Sequence, residues 1–357
     1  MLPAAHGDAL WIQYGSSRSP HHVLIDAGPA NTYDDIQTRL TTLNPKRREI
    51  ELLVITHIDT DHIDGSVLAL QDARLNLICH DIWFNGWQHL AAGEERDALG
   101  PEQGEFLQAL IDLRNRPWNQ AFGSGPVCVL PSGSLPVKAL PDGFTVTLLS
   151  PGERQLRRLR RNWESVVADA GWDPGDASAA LRRLAQRKNY LPPVRLDHFG
   201  EEPFGSDNAI ANGSSIAFVV DFDGKRCLLT GDAHTDVLAA GLDRYRAMHP
   251  RELGRGPIQF DVVKLPHHGS KNNWEPDLQR RLTSRRYLVS TSGARFRHPD
   301  RQTLDLILEM ERPSPELFFN YFSDTTKAWA DPTRQKREGF TAHYPSGASS
   351  GITVTLD

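Results

Sequence analysis

One short polar segment carries the densest set of potential metal ligands in the sequence. It follows the apolar residues 51–55 and reads His57-Ile58-Asp59-Thr60-Asp61-His62, so that four imidazole or carboxylate side chains fall within six positions. Borderline and hard divalent metals accept these donors, and a tight loop can direct several of them into one cavity. The alternative interpretation is a helix N-terminus capped by acidic residues, with both histidines uninvolved.

Three further polar sites follow apolar runs that predict strands. Asp26 ends the run at residues 23–25, Asp232 follows residues 228–231, and the pair His267 and His268 follows residues 262–266. Ligands of layered α/β folds bind at the carboxyl ends of strands, so one shared rim would bring these groups together. The sequence therefore predicts a metal site at that rim, and it does not distinguish His267 from His268 as the ligand.

The elements that must position these residues have an α/β pattern. Short apolar runs predict strands around residues 51–56, 215–221, 226–230 and 261–265, while helical spacing appears at residues 34–43 and 65–75. We find no repeat and no linker that would split the chain. Residues 1–357 are therefore predicted to form a single domain, with a helical insertion at about residues 152–211 and a C-terminal extension at about residues 312–357.

Charge is distributed unevenly along the chain. The 40 basic and 45 acidic residues give a formal net charge of −5, which excludes long-range attraction of the whole protein to a polyanion. The insertion is nevertheless rich in arginine, and its candidate phosphate-binding residues are Arg157, Arg158, Arg161, Arg182 and Arg183. They form either the solvated faces of two helices or a basic lid that contacts phosphates. Ser270 and Lys271, next to the histidine pair, are candidate substrate-binding residues.

Targeting signals and cysteine frameworks are not apparent. The three cysteines are scattered without a CxxC pair, the N-terminus lacks the pattern of a signal peptide, and no uninterrupted apolar run is long enough for a membrane span. We therefore expect a cytoplasmic protein that does not associate with membranes.

In this order and spacing, the motifs resemble those of the metallo-β-lactamase superfamily. Its strand-terminal Asp, HxHxDH loop, GD pair and late His match Asp26, residues 57–62, Asp232 and residues 267–268. Asp59 replaces the second histidine of the loop. With NGSSI at residues 212–216, LLTGDA at 228–233, LPHHGS at 265–270 and His298 before a proline, this version resembles the lactamase-like domain of the ComEC/Rec2 DNA-uptake proteins.

The resemblance covers about residues 6–300 and implies an αββα sandwich with one or two divalent metals at its open edge. It implies that His57 and Asp59 line the first metal position and that Asp61 and His62 line the second. Asp232 would bridge the two positions.

The resemblance also implies supporting roles around this centre. One of the two adjacent histidines, 267 or 268, would complete the second position, while Asp26 and Asn212 would orient ligands through hydrogen bonds. Asp61 is a candidate catalytic residue that would hold the nucleophile or accept its proton. His298 would contact a phosphate or protonate a leaving group, or would serve only as a structural hydrogen-bond partner.

Two departures from the family pattern concern the metal. A middle histidine ligand is expected between the HxHxDH loop and the GD pair, and the only candidates are His80, His89 and His198. Asp59 replaces an imidazole by a harder oxygen donor, which makes manganese a rival to zinc.

Three functions are compatible with these residues. The first is a metal-dependent hydrolase that cleaves phosphodiesters in nucleic acid, and the second is a hydrolase of a small ester, lactone or cyclic nucleotide. The third is a non-catalytic, metal-stabilised module of a bacterial defence or DNA-handling assembly. The aromatic residues Trp83, Phe84, Trp87 and Trp118 would either pack in the core or stack on bases.

Overall fold

The computed structural model describes residues 1–45, 48–90, 101–169, 171–190, 208–311, 314–346 and 351–356. The chain falls into two compact units, each named here after one of its histidines. The His57 unit comprises Ala9–Val127 and Gly152–Ser214, and the His268 unit comprises Met1–Asp8, Cys128–Pro151 and Ser215–Asp357.

The His57 unit combines a four-stranded sheet with helices. Its strands are β1 (Leu10–Ser16), β2 (Ser19–Ile25), β3 (Arg48–Ile50), β4 (Leu52–Val54), β5 (Leu77–Cys79) and β6 (Ile82–Trp83). Its helices are α1 (Tyr33–Thr41), α2 (Thr60–Gln71), α3 (Pro101–Leu113), α4 (Glu153–Asp169), α5 (Ala177–Leu184) and α6 (Asn208–Gly213). The sheet order is β1-β2-β4-β6, with β2, β4 and β6 parallel, and β3 pairs separately with β5.

The His268 unit contains an eight-stranded mixed sheet. The strands of this unit are β7 (Val137–Ala139), β8 (Thr145–Ser150), β9 (Ala217–Phe222), β10 (Lys225–Leu229), β11 (Ile258–Phe260), β12 (Val262–Lys264), β13 (Leu282–Ser284), β14 (Arg286–Val289), β15 (Glu316–Phe319) and β16 (Thr341–His343). Strands β11 and β13 pair with each other, outside the eight-stranded sheet. Its helices are α7 (Thr235–Met248), α8 (Pro250–Leu253), α9 (Pro276–Gln279), α10 (Arg301–Met310) and α11 (Pro332–Glu338). The sheet order is β16-β15-β14-β12-β10-β9-β8-β7, and β10, β12 and β14 are parallel neighbours.

Apolar runs place these strands in the interior of their units. All three residues of β4 are buried, as are the last three residues of β2. A polar residue follows each of these apolar runs: Asp26 after β2, and Thr56 shortly after β4. In the His268 unit, the residues that follow β10, β12 and β14 emerge at one edge because those strands are parallel neighbours. This edge carries Asp232, the histidine pair and Ser290.

The predicted α/β class is confirmed. The predicted bounds of one helix were wrong in a way that affects the site: the helix predicted at residues 65–75 is α2, which runs from Thr60 to Gln71, so Asp61 and His62 lie in its first turn and not in a loop. The predicted insertion contributes α4, α5 and α6 to the His57 unit, and residues 191–207 of it lie outside the described part. The single-domain organisation stays a prediction. None of the helices that the structure describes has both the length and the apolar composition needed to span a bilayer.

Candidate metal centre

Asp26 follows β2 and receives hydrogen bonds from the end of β4. Its backbone lies in the left-handed region, with φ of 54°, which a short polar side chain tolerates better than most. The backbone N–H of Asp26 donates to the carbonyl of Val54 at 2.8 Å. Its carboxylate accepts the backbone N–H of Thr56 at 2.8 Å and the Thr56 hydroxyl at 2.6 Å. These bonds fix Asp26 at the carboxyl end of the sheet.

Asp26 sets the tautomer of His62, and the Thr56 hydroxyl that Asp26 orients sets that of His57. Nδ1 of His62 lies 2.8 Å from Oδ2 of Asp26, an acceptor, so Nδ1 carries the proton and Nε2 is left as the acceptor atom. Because the Thr56 hydroxyl gives its own hydrogen to Asp26, its oxygen accepts from Nδ1 of His57 at 2.9 Å. Both histidines thus keep Nε2 in the form that binds a metal.

Helix α2 approaches the residues after β2 unusually closely. A Cβ at Gly65 would lie 2.0 Å from the carbonyl oxygen of Ala27, so only glycine fits without a shift of the backbone. The Ala27 N–H donates to the carbonyl of His62 at 3.0 Å, and the Gly65 N–H donates to that of Gly28 at 2.9 Å. This contact carries the first turn of α2, and His62 with it, to Asp26.

Asp59 precedes α2 but does not cap it through its side chain. Its backbone carbonyl accepts from the N–H groups of His62 and Ile63, while its carboxylate makes no capping hydrogen bond. Instead, Oδ2 of Asp59 lies 3.6 Å from Nε2 of His57. The capping interpretation of the motif therefore fails for Asp59. Burial raises the pKa of Asp59, and a nearby cation would keep this carboxylate ionised.

The histidine pair of the His268 unit lies in a strained turn after β12. The φ angles of His267 and His268 are 46° and 56°, a region that costs a residue other than glycine about 1–3 kcal/mol. Backbone hydrogen bonds hold the turn on both sides: His267 N–H donates to Gly231 at 3.2 Å, and Asp300 N–H donates to Gly269 at 3.0 Å. The turn persists because these neighbours determine it.

Nδ1 of each residue in this pair faces a fixed acceptor. Nδ1 of His268 donates to the carbonyl of Ser290 at 2.9 Å, and Nδ1 of His267 donates to Oδ1 of Asn273 at 3.1 Å. The Asn273 amide group in turn donates to the carbonyl of Asp232 at 3.3 Å, which fixes its orientation. Nε2 of His268 and Nε2 of His267 then lie 3.6 and 3.9 Å from Oδ2 of Asp232.

The geometry favours His268 over His267 as a ligand. Asp8, Asp232 and His268 each place one donor atom within 4.8 Å of the others, and all three residues are buried. The side chain of His267 is 26% exposed, and among the described residues of its unit it joins no such cluster. Neutral imidazole nitrogen and carboxylate oxygen suit zinc or manganese, so the donor sets of both units fit a divalent metal.

His298 lies beside the histidine pair. Its ring centroid is 5.5 Å from that of His267, and its Nδ1 is 3.6 Å from Oδ2 of Asp300. Burial, followed by the proximity of His267 and His268, lowers the pKa of His298 to about 4. The ring is therefore neutral at pH 7 and offers a neutral N–H, so its predicted contact with a phosphate would be a hydrogen bond and not an ion pair.

The other predicted site residues occupy different environments. Ser270 is buried and its hydroxyl oxygen accepts the Asn272 N–H at 3.2 Å, whereas Lys271 is exposed. Asn212 is buried within α6 of the His57 unit. Ser215, in the His268 unit, accepts the N–H of Asp232 at 3.2 Å and so supports the backbone of a predicted ligand. The functional roles of these residues stay predictions.

None of the candidates for a middle histidine ligand lies in a donor cluster of the described structure. His80 is half-exposed and lies 3.8 Å from Glu49. His89 is buried with its ring edge-on to Trp118, at 4.4 Å between centroids, and burial lowers its pKa to about 4. His198 lies outside the described residues. Metal binding by His80 or His89 therefore has no support from the geometry.

The arginines of the insertion divide into paired and exposed groups. Arg157 pairs with Glu153 at 2.7 Å, and Arg183 lies 3.8 Å from Glu102 with its guanidinium over the Trp172 ring. Arg158 and Arg182 are exposed, and Arg161 is half-buried. Exposed ion pairs contribute little free energy, so Arg157 can exchange its partner for a phosphate at small cost.

Tyr190 connects this insertion to the metal motif. Its hydroxyl donates to Oδ1 of Asp64 at 2.5 Å, and Asp64 lies two positions after His62 on α2. Burial raises the pKa of Asp64 to about 7. The insertion is thus attached to the helix that carries Asp61 and His62.

Most of the candidate base-stacking aromatics are packed in the interior. Trp83, Phe84 and Trp118 are 0%, 1% and 5% exposed, which confirms the packing interpretation for them. Trp87 is partly exposed and carries the guanidinium of Arg160, 4.0 Å from its ring centroid.

Apart from the predicted Asp26, sequence reasoning missed the residues that set the histidine tautomers. Thr56 gave a usable signal, because a hydroxyl residue lies between the apolar strand and the first histidine. Asn273 gave none, and Ser290 acts through its backbone carbonyl, which every residue type carries. Asp8 and Lys264, which contact each other beneath the histidine pair, also gave no signal by spacing.

Residues 19–133 match the family model of the metallo-beta-lactamase superfamily. The matched segment contains Asp26 and all four donors of the HxDxDH motif. The match covers less than half of the chain and supports the resemblance to this superfamily, whose members are generally metal-dependent hydrolases. The more specific likeness to DNA-uptake proteins is not confirmed by this match. The search among curated proteins gave no match.

Solved structures align with this chain at low identity and with low TM-scores. Zinc-bound PqqB from Methylobacterium extorquens aligns with 14% identity and a TM-score of 0.37, over 97% of this chain and 87% of PqqB. A mutant of the CmlA beta-hydroxylase aligns with 13% identity and a TM-score of 0.38, over 96% of this chain and 52% of CmlA. A metallo-beta-lactamase of Cronobacter sakazakii aligns with 14% identity and a TM-score of 0.28, over 73% and 75% of the two chains. The donor sets and the family match, not these alignments, carry the function proposed next.

Proposed function

We propose that this chain is a metal-dependent phosphodiesterase that acts on nucleic acid. The observation that carries the hydrolase part is an arrangement shared by four histidines: His57, His62, His267 and His268. In each unit, a fixed acceptor holds the proton on Nδ1, and Nε2 of three of these histidines lies 3.6–3.9 Å from a carboxylate oxygen. Two acceptor atoms at that separation are stabilised by a cation that both can coordinate.

The proposed ligands follow the motif order along the chain. His57 and Asp59 would hold a metal at the first position. Asp61, His62 and His268 would hold a metal at the second position, and Asp232 would contribute to both. Zinc and manganese both suit this mixture of nitrogen and oxygen donors. The support for assigning the two donor sets to one centre is the family resemblance of the motifs and the match over residues 19–133.

The chain's own residues would orient the substrate and move its protons. A bound divalent metal would lower the pKa of a coordinated water and offset charge that develops on phosphate oxygens. Asp61, buried in the first turn of α2, would accept the proton of the attacking water. His298, neutral at pH 7, would donate a hydrogen bond to a phosphate oxygen. Asp26 and Thr56 would keep His57 and His62 in their metal-binding tautomers.

The insertion supports nucleic acid as the substrate. With a net charge of −5, the chain attracts a polyanion only through a local concentration of positive charge. Arg158 and Arg182 are exposed on α4 and α5, and the bond from Tyr190 to Asp64 attaches the insertion to the donor helix. These features would hold the phosphate backbone near α2.

A small ester, lactone or cyclic nucleotide is the second candidate substrate. It is favoured by the ion pairs of Arg157 with Glu153 and of Arg183 with Glu102, which reduce the positive charge available to a polymer.

Hydrolysis assays distinguish these substrates. Wild-type protein loaded with manganese or zinc is tested on single-stranded DNA, duplex DNA, RNA, a small phosphodiester and a small ester. We expect cleavage of a nucleic acid that disappears in Asp61→Ala and persists in Asp236→Ala, which removes the first-turn acid of α7 instead. Cleavage of the small substrates alone would refute the nucleic-acid assignment. A metal-loaded protein that cleaves none of them would be the non-catalytic module.

A further inference from the structure

We propose that Asp8 and Lys264 are a positioning pair, which holds His268 in the tautomer and the place that metal binding requires. The inference rests on the proposed metal centre of the His268 unit, and it does not depend on which substrate is hydrolysed. Neither residue belongs to the motifs that resemble the metallo-β-lactamase superfamily.

The two residues form an ion pair in the interior of the His268 unit. Asp8 is 1% exposed and Lys264 is 0% exposed, and Nζ of Lys264 contacts Oδ2 of Asp8. The other carboxylate oxygen, Oδ1, lies 3.4 Å from Nδ1 of His268. A buried ion pair adds little net stability over well-packed apolar residues of similar volume. Its contact with His268 therefore points to a positional role.

The location of Lys264 makes it suited to this role. It is the last residue of β12, and the strained turn that contains His268 begins two residues later. Lys264 is anchored to the neighbouring strand because its carbonyl accepts the Thr230 hydroxyl at 2.8 Å. The ammonium group then fixes Asp8, which arrives from the segment before β1. Asp8 thus lies against Nδ1 of His268 on a rigid support.

Asp8 acts on His268 through charge. The Nδ1–H of His268 donates to the carbonyl of Ser290 at 2.9 Å, with the Asp8 carboxylate nearby. A negative charge beside Nδ1–H favours the proton on that nitrogen and makes Nε2 a stronger donor to a metal. Nε2 lies 3.6 Å from Asp232, on the side where the proposed metal would bind.

Asp8 is also one of three clustered donors, and direct ligation is the competing interpretation. The Lys264 ammonium argues against it, because a divalent cation and an ammonium group on one carboxylate would repel each other. A positioning residue changes the affinity of the site, whereas a ligand changes how many ions are held or their coordination.

Cobalt(II) binding to the full chain tests the pair. The variants are Asp8→Asn, the double variant Asp8→Asn with Lys264→Met, and the matched control Arg226→Met. The control breaks the partly buried ion pair of Arg226 with Asp221 on the same sheet, at 2.8 Å, and the ion pair of Arg226 with Glu252. Affinity is measured by competition with a chelator, stoichiometry by titration, and coordination by the visible absorption of cobalt.

We expect Asp8→Asn to bind cobalt about 10–100-fold more weakly, with unchanged stoichiometry at saturation and an absorption maximum like that of the wild type. The double variant should lose cobalt affinity by a similar factor. Because it leaves no unpaired Lys264 ammonium in the interior, it still tests the inference if Asp8→Asn does not fold. Arg226→Met should bind like the wild type.

Two results would overturn the inference. The first is that Asp8→Asn and the double variant both fold and bind cobalt with an affinity within twofold of that of Arg226→Met. The second is that either variant holds fewer cobalt ions at saturation or has a changed cobalt absorption spectrum, which would make Asp8 a ligand. A wild type that binds cobalt but hydrolyses no substrate refutes the proposed function and leaves the positioning role intact.

Discussion

Replacing Thr56 by valine tests whether the tautomers of the motif histidines are set by the chain. Valine has nearly the same shape as threonine, so the substitution removes the hydroxyl and little else. That hydroxyl donates to Asp26 at 2.6 Å and accepts from Nδ1 of His57 at 2.9 Å. Thr56→Val therefore leaves a buried carboxylate short of one donor and a buried imidazole N–H short of its acceptor.

The expected loss of stability follows from those two bonds. The bond to the charged carboxylate contributes about 1.5–3 kcal/mol and the bond from the neutral imidazole about 0.5–1.5 kcal/mol. The two share one oxygen and are not additive, so we expect the free energy of unfolding to fall by about 2–4 kcal/mol. His57 also loses the partner that fixes its tautomer, and metal affinity should fall about 10–100-fold.

Chemical denaturation of the metal-free protein and chelator competition measure the two effects. Thr56→Ser keeps the hydroxyl and should retain most of the stability and most of the metal affinity. Thr303→Val is the steric control: Thr303 is buried in α10, and its hydroxyl has no hydrogen-bond partner among the described residues, so its loss should not destabilise the protein. If Thr56→Val is as stable as Thr303→Val and binds metal like the wild type, the tautomer argument is wrong.

Three further predictions concern the metal, acid stability and the insertion. Asp59→His should shift preference from manganese toward zinc, because imidazole is the softer donor, and elemental analysis after competition between the two metals checks this. Burial lowers the pKa of His89 from 6.5 to about 4, so as the pH falls His89 becomes protonated in the unfolded chain before it does in the folded protein. Stability should therefore drop by about 3 kcal/mol between pH 7 and 4, and denaturation of His89→Leu should lack that contribution. Replacing Arg158 and Arg182 by alanine should weaken duplex DNA binding and flatten its salt dependence by nearly one log–log unit per lost phosphate contact, as fluorescence titration would show.

The positions of the predicted donors could be read from the sequence because strand ends are marked by composition. Each of β2, β4, β10 and β12 contains a short stretch of buried apolar residues, and the polar residues that follow these stretches break the apolar pattern, although most of the predicted donors are themselves buried. The start of α2 could not be read in the same way. Asp59 and Thr60 are compatible with both a ligand loop and the start of a helix. In the structure, the backbone N–H groups of His62 and Ile63 donate to the Asp59 carbonyl, which shows that the helix begins there.

The orientation of the histidines depends on interactions that leave different amounts of signal in the sequence. A carboxylate such as Asp26 at a strand end is visible, and a hydroxyl such as Thr56 is visible once its place is suspected. The Ser290 carbonyl is invisible, because any residue at that position would offer the same acceptor to His268. Residue types alone therefore identify which side chains can bind a metal. Only the three-dimensional arrangement shows which nitrogen of each histidine faces a neighbouring carboxylate, and that choice determines whether the side chain can act as a ligand.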